Sequence, residues 1–251
     1  MTNQGYVSHD QLFHFVARKA PDNEARYQIL RRILANGVIS HPPHSIDWGE
    51  QDSFQVNKKG SILNEDLVVP NMVCFCDIPF GELGIHMNKY SQFGISIMRD
   101  RIARFGGRPV TYYPYWRNDP HNVVYGLKAI ERLEQEFHSF SDRYSAEFGP
   151  SPKTMSRQLG QSHRTFLEAC EWFNSEMALR YLAYLKPFDM SLPAEHEKNY
   201  YMEREWRRLG NLMFAPEHLG CVIVPAEYVV RARTDLPDYE AKIVAAPRTS
   251  A

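Results

Sequence analysis

The run Glu203-Arg204-Glu205-Trp206-Arg207 holds the densest chemistry in the chain. Read as a strand, it sends Tyr201, Glu203, Glu205 and Arg207 to one face, because side chains alternate with a period of two. Two carboxylates held beside each other and beside arginine are driven apart in pKa, one ionised and the other inclined to keep a proton. Such a pair suits a reaction whose transition state places positive charge on a sugar, since a carboxylate stabilises that charge electrostatically. The opposing reading is a solvated charge ladder on a sheet edge. Apolar neighbours at Tyr200, Tyr201, Met202 and Trp206 argue for less exposure than such a ladder has.

His14 is the second candidate. It sits inside Leu12-Phe13-His14-Phe15-Val16, where a buried imidazole needs a hydrogen-bond partner. It is either a satisfied structural histidine or a donor at the rim of a cleft. Cys74-x-Cys76 turns both thiols to one face of a strand. With His86 downstream these are conceivable zinc ligands, but structural zinc sites bring a CxxC knuckle and a fourth ligand at matching spacing, and neither is present. A catalytic thiol lacks a paired base in view. His41-Pro42-Pro43-His44 is a pair without a partner set. Arginines 99, 101, 104 and 108 form the densest basic cluster, with Phe105 the only aromatic among them; solvated helix charges and a track for a phosphate backbone or a diphosphate both fit. GxGxxG after a strand, the P-loop, HExxH and GxSxG are all absent. Nuclease chemistry is disfavoured, because no acidic metal cluster or aromatic-interleaved basic groove appears.

The elements that must position these residues follow from periodicity. Leu12–Val16 reads as a strand. Pro21-Asp22-Asn23-Glu24 starts a helix, Ala25, Ile29, Ile33 and Leu34 recur at helical spacing, and Gly37 stands at its C-terminal cap. Val38-Ile39 begins a second extended piece. Residues 41–69, with Trp48 and Lys58-Lys59-Gly60, read as a long and partly irregular loop, either a lid or an excursion. Met72–Cys76 is a strand ending at Asp77-Ile78-Pro79. A short helix over Gly81–Tyr90 puts His86 and Tyr90 on one face. Phe93–Met98 is a strand, Arg99–Phe105 a helical turn, and Pro109–Tyr113 a strand.

Leu127, Ile130, Leu133, Phe137, Phe140, Tyr144 and Phe148 trace a long amphipathic helix that Pro150 and Pro152 end. Phe166, Cys170, Phe173, Met177, Tyr181 and Tyr184 trace a second, stopping before Pro187. The two predict an antiparallel hairpin whose aromatic stripes are core. After a loop over 187–198, Tyr200–Arg207, Gly220–Pro225 and Lys242–Val244 are extended. This order predicts an α+β fold, a single domain over 1–251 with 126–186 an inserted helical hairpin.

Composition sets outer bounds. The chain has 251 residues, 43% hydrophobic, with 29 Lys plus Arg against 30 Asp plus Glu and a net charge of −1. That balance excludes a whole-protein electrostatic footprint for DNA or an anionic membrane, though a local basic groove is compatible with it. The opening MTNQGYVSHDQLFHF lacks the basic region and unbroken apolar run of a signal peptide. No window approaches about 18 apolar residues, so no membrane span is expected. Four cysteines do not make a disulfide framework. The expectation is a reduced, cytoplasmic protein.

Leu12–Val16, the helix to Gly37, Met72–Pro79, His86, Tyr90, Phe93-Gly94-Ile95 and Pro109-Val110 together resemble the AbiGi family of abortive phage-resistance proteins. The sharpest part is Val73-Cys74-Phe75-Cys76-Asp77-Ile78-Pro79, followed by His86-x-x-x-Tyr90 and Phe93-Gly94-Ile95. The resemblance covers roughly residues 10–112 and 200–225, not the hairpin or the C-terminal tail; Ser91 stands where that family has glycine. It implies a bacterial anti-phage system in which the chain is the antitoxin partner of a toxin.

The order of motifs also resembles the DarT-like ADP-ribosyltransferases. That second resemblance implies an ADP-ribosyltransferase-like split mixed/antiparallel sheet and NAD as substrate, with no metal. It implies a first-strand histidine on NAD, an aromatic or small residue from a second strand, and a late glutamate that drives cleavage of the nicotinamide bond. His14 matches the first, Phe75 or Tyr90 the second and Glu205 the last. Glu203 would orient or activate the acceptor nucleophile, and Arg26, Arg31 or Arg99 would neutralise the diphosphate. Two functions are thus in view. One is an ADP-ribosyltransferase or NAD glycohydrolase of an anti-phage system. The other is a non-catalytic antitoxin or phage-sensing module that binds a protein partner. The deciding geometry is whether His14 and Glu205 face each other across one pocket.

Overall fold

Asp22 caps the first helix, its Oδ1 accepting from the Ala25 backbone N–H at 2.8 Å, and Gly37 closes it in the left-handed region at φ 61°. The computed structural model describes residues 10–40, 54–57, 59–116, 126–148, 161–193, 196 and 199–247. His41 to His44, Trp48, Lys58, Pro150 and Pro152 lie outside them. The chain divides into two compact units, one of residues 1–51, 71–110 and 194–251, the other of 52–70 and 111–193.

The first unit is built on a seven-stranded sheet. Its strands are β1 (Gln11–Phe15), β5 (Met72–Cys76), β6 (Gly94–Met98), β7 (Arg108–Pro109), β10 (Glu205–Leu209), β12 (Leu219–Val224) and β13 (Ile243–Ala245). Their order across the sheet is β13-β12-β6-β1-β5-β10-β7. Every pairing is antiparallel except β12 with β13, which is parallel. The apolar runs of β1, β5 and β12 are what a sheet covered on both faces requires. On one face Leu12, Val73, Phe75, Ile95 and Val222 share a core with Tyr27, Leu30 and Leu34 of α1 (Asn23–Asn36). On the other, Phe13, Cys76, Cys221 and Ile223 cluster with Leu83 and with Met87 of α2 (Gly84–Lys89). α3 (Arg99–Arg104) follows β6 and buries Ile102. α6 (Val229–Asp235) is welded to α1, with Arg231 donating to both Glu24 oxygens at 2.6 and 2.9 Å. Gly37 turns the chain into β2 (Val38–Ile39), which pairs with β11 (Leu212–Met213).

The second unit pairs β3 (Phe54–Val56) with β4 (Val68–Pro70) antiparallel, and β8 (Thr111–Tyr115) with β9 (Leu185–Asp189) parallel. Its helices are α4 (Leu127–Phe148) and α5 (Gln161–Glu176). Its core gathers Ile62, Leu67, Val68, Tyr115, Ile130, Phe137, Ala178 and Leu182. This unit therefore draws on more of the chain than the 126–186 stretch.

Four expectations are corrected. The 41–69 segment, read as a long and partly irregular loop, contributes β3 and the start of β4. The 187–198 segment is not loop at its start, because β9 runs through Pro187; with β8 as its partner, the missing N–H of proline is tolerated there. The second long helix gives way after Glu176 to a π-helical turn over Met177–Tyr181 and a 3₁₀ turn over Leu182–Tyr184. The stripe read for the second helix is core only towards its end, where Met177 packs on the second unit's core and Tyr184 is buried, whereas Phe166, Phe173 and Tyr181 are 59%, 48% and 65% exposed.

Candidate functional site

The Tyr200–Arg207 run is not one strand. Tyr201–Glu203 forms a 3₁₀ turn and Arg204 adopts φ 43°, ψ 53° before β10 begins at Glu205. The Asp77 backbone N–H clamps this turn, donating to the carbonyls of Glu203 at 3.2 Å and Arg204 at 3.3 Å. The turn throws Tyr201 and Met202 out to solvent, 51% and 54% exposed, and folds Glu203 inward to 7%. Glu205 and Arg207 keep the shared strand face expected of them. β10 lies between β5 and β7 and is not a sheet edge, so the solvated-ladder reading is overturned.

Each carboxylate has a cation. Arg207 Nε donates to Glu205 Oε1 at 2.7 Å and its Nη2 to Oε2 at 3.4 Å, with the two residues only 4% and 6% exposed. Lys89 Nζ donates to Glu203 Oε1 at 2.7 Å, and the Tyr90 hydroxyl donates to the same oxygen at 3.1 Å. Lys89 also stands 4.0 Å from the Tyr200 ring centroid, and the Arg18 guanidinium 5.0 Å from that of Tyr90. Burial, and then the charge of Glu203, pushes the Tyr90 phenol well above its ordinary pKa. The Cys76 thiol is pushed up in the same way, by burial first and Glu203 second, so a thiolate is disfavoured there. His86, as expected, stacks near Tyr90, with ring centroids 4.4 Å apart, and also near Phe15 at 5.3 Å.

Register decides where His14 stands. Phe13 pairs with Cys76 across β1 and β5, and Cys76 pairs with Glu205 across β5 and β10. Directly opposed residues share a face and successive residues alternate. Phe13, Cys76 and Glu205 therefore form one row on the α2 face. His14 points to the other face, where its ring lies 5.6 Å from that of Phe75, itself paired with Trp206. His14 Nδ1–H donates to the Cys74 carbonyl at 2.8 Å, and burial outweighs that bond to lower its pKa below the ordinary imidazole value.

The structure thus brings together Glu203, Glu205 and Tyr90, and separately His14 and Phe75. It does not bring His14 and Glu205 to one pocket. Arg31 belongs to neither group: it pairs with Asp235 of α6 at 3.8 Å and donates to Gln28 at 3.3 Å. An NAD-binding cleft with His14 on one wall and Glu205 on the other does not fit these residues. A cavity of about 370 Å³ on the α2 face is lined by Asp10, Gln11, Phe13, Phe80, Cys221 and Val244, none of them an expected site residue. Of the basic cluster, Arg101, Arg104 and Arg108 are exposed, with Arg104 near Asp100 at 3.9 Å. Lys89 and Arg18 escaped sequence reasoning, since nothing local signals a lysine whose partner is 114 residues away. No helix among the described residues is long and apolar enough to cross a membrane.

Fold and site define a mixed α/β protein with a mostly antiparallel sheet and a buried, internally paired carboxylate cluster. Over residues 47–242 the chain matches the family model of the abortive phage resistance protein AbiGi, antitoxin, and it belongs to that family. The match runs across α4 and α5, over which the sequence resemblance did not extend. No curated protein and no solved structure matches the chain.

Proposed function

We propose that this chain serves abortive phage resistance by binding a protein, as antitoxin or phage-sensing partner, and not by turning over a dinucleotide. The family description supports the antitoxin role. The observation that carries the non-catalytic part is the row Phe13–Cys76–Glu205, which leaves His14 on the opposite face of the sheet. The carboxylates are also already answered. A Glu205 held by Arg207 and a Glu203 held by Lys89 have their charge neutralised within the fold. Freeing Glu205 for a substrate would strand the buried Arg207 guanidinium, at a cost of several kcal/mol.

The test is to incubate the pure protein, beside Glu205→Gln, with labelled NAD, and separately to co-express it with the protein encoded beside it. The expected result is no label transfer or NAD loss from either protein, and a stoichiometric complex with the neighbour. Turnover by the wild type that disappears in Glu205→Gln would overturn the reading.

One observation favours the rival, an ADP-ribosyltransferase-like fold with NAD as substrate. β1, β5 and β10, the strands bearing His14, Phe75 and Glu205, are consecutive neighbours in the sheet. On that reading Glu203, Glu205 and Tyr90 form the working group without His14, and the same NAD assay decides it.

A further inference from the structure

The cavity of about 370 Å³ on the α2 face has a polar floor between apolar walls. Phe13, Phe80 and Val244 supply the walls, the two phenylalanine rings tilted together with centroids 6.2 Å apart. Gln11 shares this face with Phe13, two residues along β1, and Ser96 of β6 is paired with Phe13. Ser96 is 0% exposed in a strand whose other residues are glycine, isoleucine and methionine. A hydroxyl buried there needs partners, and it has them. Its O–H donates to Gln11 Oε1 at 2.7 Å, and its oxygen accepts from the Cys221 backbone N–H at 2.8 Å.

The backbone is shaped around this floor. The register of β12 against β6 shifts between Leu219 and Val222, an irregularity of the kind that re-aims side chains beside a site. Gly220 stands within it. A Cβ at Gly220 would strike the Gln11 carboxamide and come within 2.7 Å of Ser96 Oγ, so glycine leaves the room that the network occupies.

The polar groups select the occupant. With Oε1 engaged by Ser96, the Nε2 amide of Gln11 is the end left to a ligand, and its donors have no partner among the described residues. Asp10, the neighbouring lining residue, adds a carboxylate acceptor that is 84% exposed. A donor beside an acceptor is complemented by a carbonyl beside an N–H, the edge of a lactam or a primary amide. Charge argues for a neutral molecule. Asp10 repels an anion, while Arg99 stands 3.9 Å from Asp10 and Lys242 donates to the Leu219 carbonyl, so a cation is not favoured either. Burial pushes the Cys221 thiol above its ordinary pKa, against the pull of Ser96 and Lys242, which keeps that wall uncharged. The volume lies at the lower end of the range for small-molecule sites and suits a single ring.

We propose that this cavity binds a small neutral molecule with a ring-sized apolar body and a lactam or primary amide edge, its carbonyl accepting from Gln11 Nε2 and its N–H donating to Asp10. The site shares no residue with the Glu203–Glu205 cluster and stands independently of the protein-binding reading.

The experiment titrates the full chain by ligand-observed NMR with three probes of similar size. ε-Caprolactam carries the whole edge, cycloheptanone keeps the carbonyl but lacks the N–H, and cyclohexanecarboxylate is an anion. The variants are Asp10→Ala, Gln11→Met and Val244→Phe, each with a parallel thermal melt. Caprolactam should bind the wild type in the millimolar range, and the carboxylate at least about tenfold more weakly. Asp10→Ala should melt with the wild type, weaken caprolactam about fivefold and leave cycloheptanone unchanged. Gln11→Met should weaken both, and Val244→Phe should abolish both by filling the cavity. If Gln11→Met or Val244→Phe melts early, Asp10→Ala alone decides, because its side chain is exposed. Caprolactam binding that Asp10→Ala leaves unchanged overturns the proposal, as does a carboxylate that binds as tightly as the lactam. Binding retained in a folded Val244→Phe variant places the probe elsewhere and overturns it too. No binding of any probe to the wild type removes the site altogether.

Discussion

Arg207 reaches back two residues along β10 to hold both carboxylate oxygens of Glu205, inside a sheet where neither group meets solvent. A pair of this kind is weak evidence of stabilisation as a whole and strong evidence of a penalty for breaking it. Its attraction roughly offsets the desolvation of two charges, but removing one partner leaves the other buried and uncompensated.

Arg207→Met should therefore destabilise the fold by about 3–5 kcal/mol. Adding Glu205→Leu should recover most of that loss, because the stranded charge is gone. Urea unfolding of the wild type, both single variants and the double gives the coupling directly. If the double variant is as unstable as the sum of the singles, Glu205 and Arg207 are not the unit described.

His14 should make the protein acid-sensitive below the ordinary imidazole range. Burial lowers its pKa in the folded chain. Between that value and about 6.5 the unfolded chain takes up a proton that the folded chain refuses. This contribution to stability is complete above about pH 6.5 and is lost as pH falls through the depressed folded value. Melting the wild type and His14→Gln from pH 7.5 down to pH 5 should show a steeper decline for the wild type. Parallel slopes would place the acid sensitivity elsewhere.

Tyr27 should act at the other end of the scale. Burial first, and then its hydrogen bond to Asp235 at 3.0 Å, pushes its pKa up to about 12. An unfolded tyrosine ionises near about 10, so above that pH the unfolded chain releases a proton that the folded chain keeps. Stability from this group is full below pH 10 and is lost as pH rises towards about 12. Tyr27→Phe should start less stable, having lost the Asp235 bond, but decline less between pH 10 and 11.5 when unfolding is followed by circular dichroism. A phenylalanine variant with the wild-type slope would remove Tyr27 from the alkaline transition.

These relationships divide by how local their causes are. α1 was legible because Asp22 and Gly37 are start and stop signals of the backbone itself. β5 and β12 were legible because strands covered on both faces need unbroken apolar runs. The Tyr200–Arg207 segment misled because Tyr201, Glu203, Glu205 and Arg207 recur at every second position as in a strand. Only the left-handed turn at Arg204 and its clamp from Asp77 break the alternation, and that clamp comes from a segment more than a hundred residues earlier. β9 was hidden by Pro187, and the stripe on α5 by the identity of its spacing with that of a buried helix. The separation of His14 from Glu205 needed the register of three strands, which no single segment encodes.

Two glycines, finally, separate backbone strain from steric contact. Gly37 and Gly106 both hold positive φ, +61° and +84°. A Cβ at Gly37 would stand 2.6 Å from the Phe214 carbonyl oxygen, whereas one at Gly106 meets nothing within 4 Å. Phe214 cannot yield easily, because its own N–H donates to the Gly37 carbonyl at 2.8 Å and holds β11 beside β2. Gly106→Ala should carry only the left-handed penalty of roughly 1–2 kcal/mol. Gly37→Ala should carry that penalty plus the displacement of β11. Each kcal/mol corresponds to about 2–4 °C in a chain of this size, so Gly37→Ala should melt several degrees below Gly106→Ala. Equal melting temperatures would mean that the α1 terminus can move away from Phe214 without loss, and that β2–β11 is not the strap that fixes it.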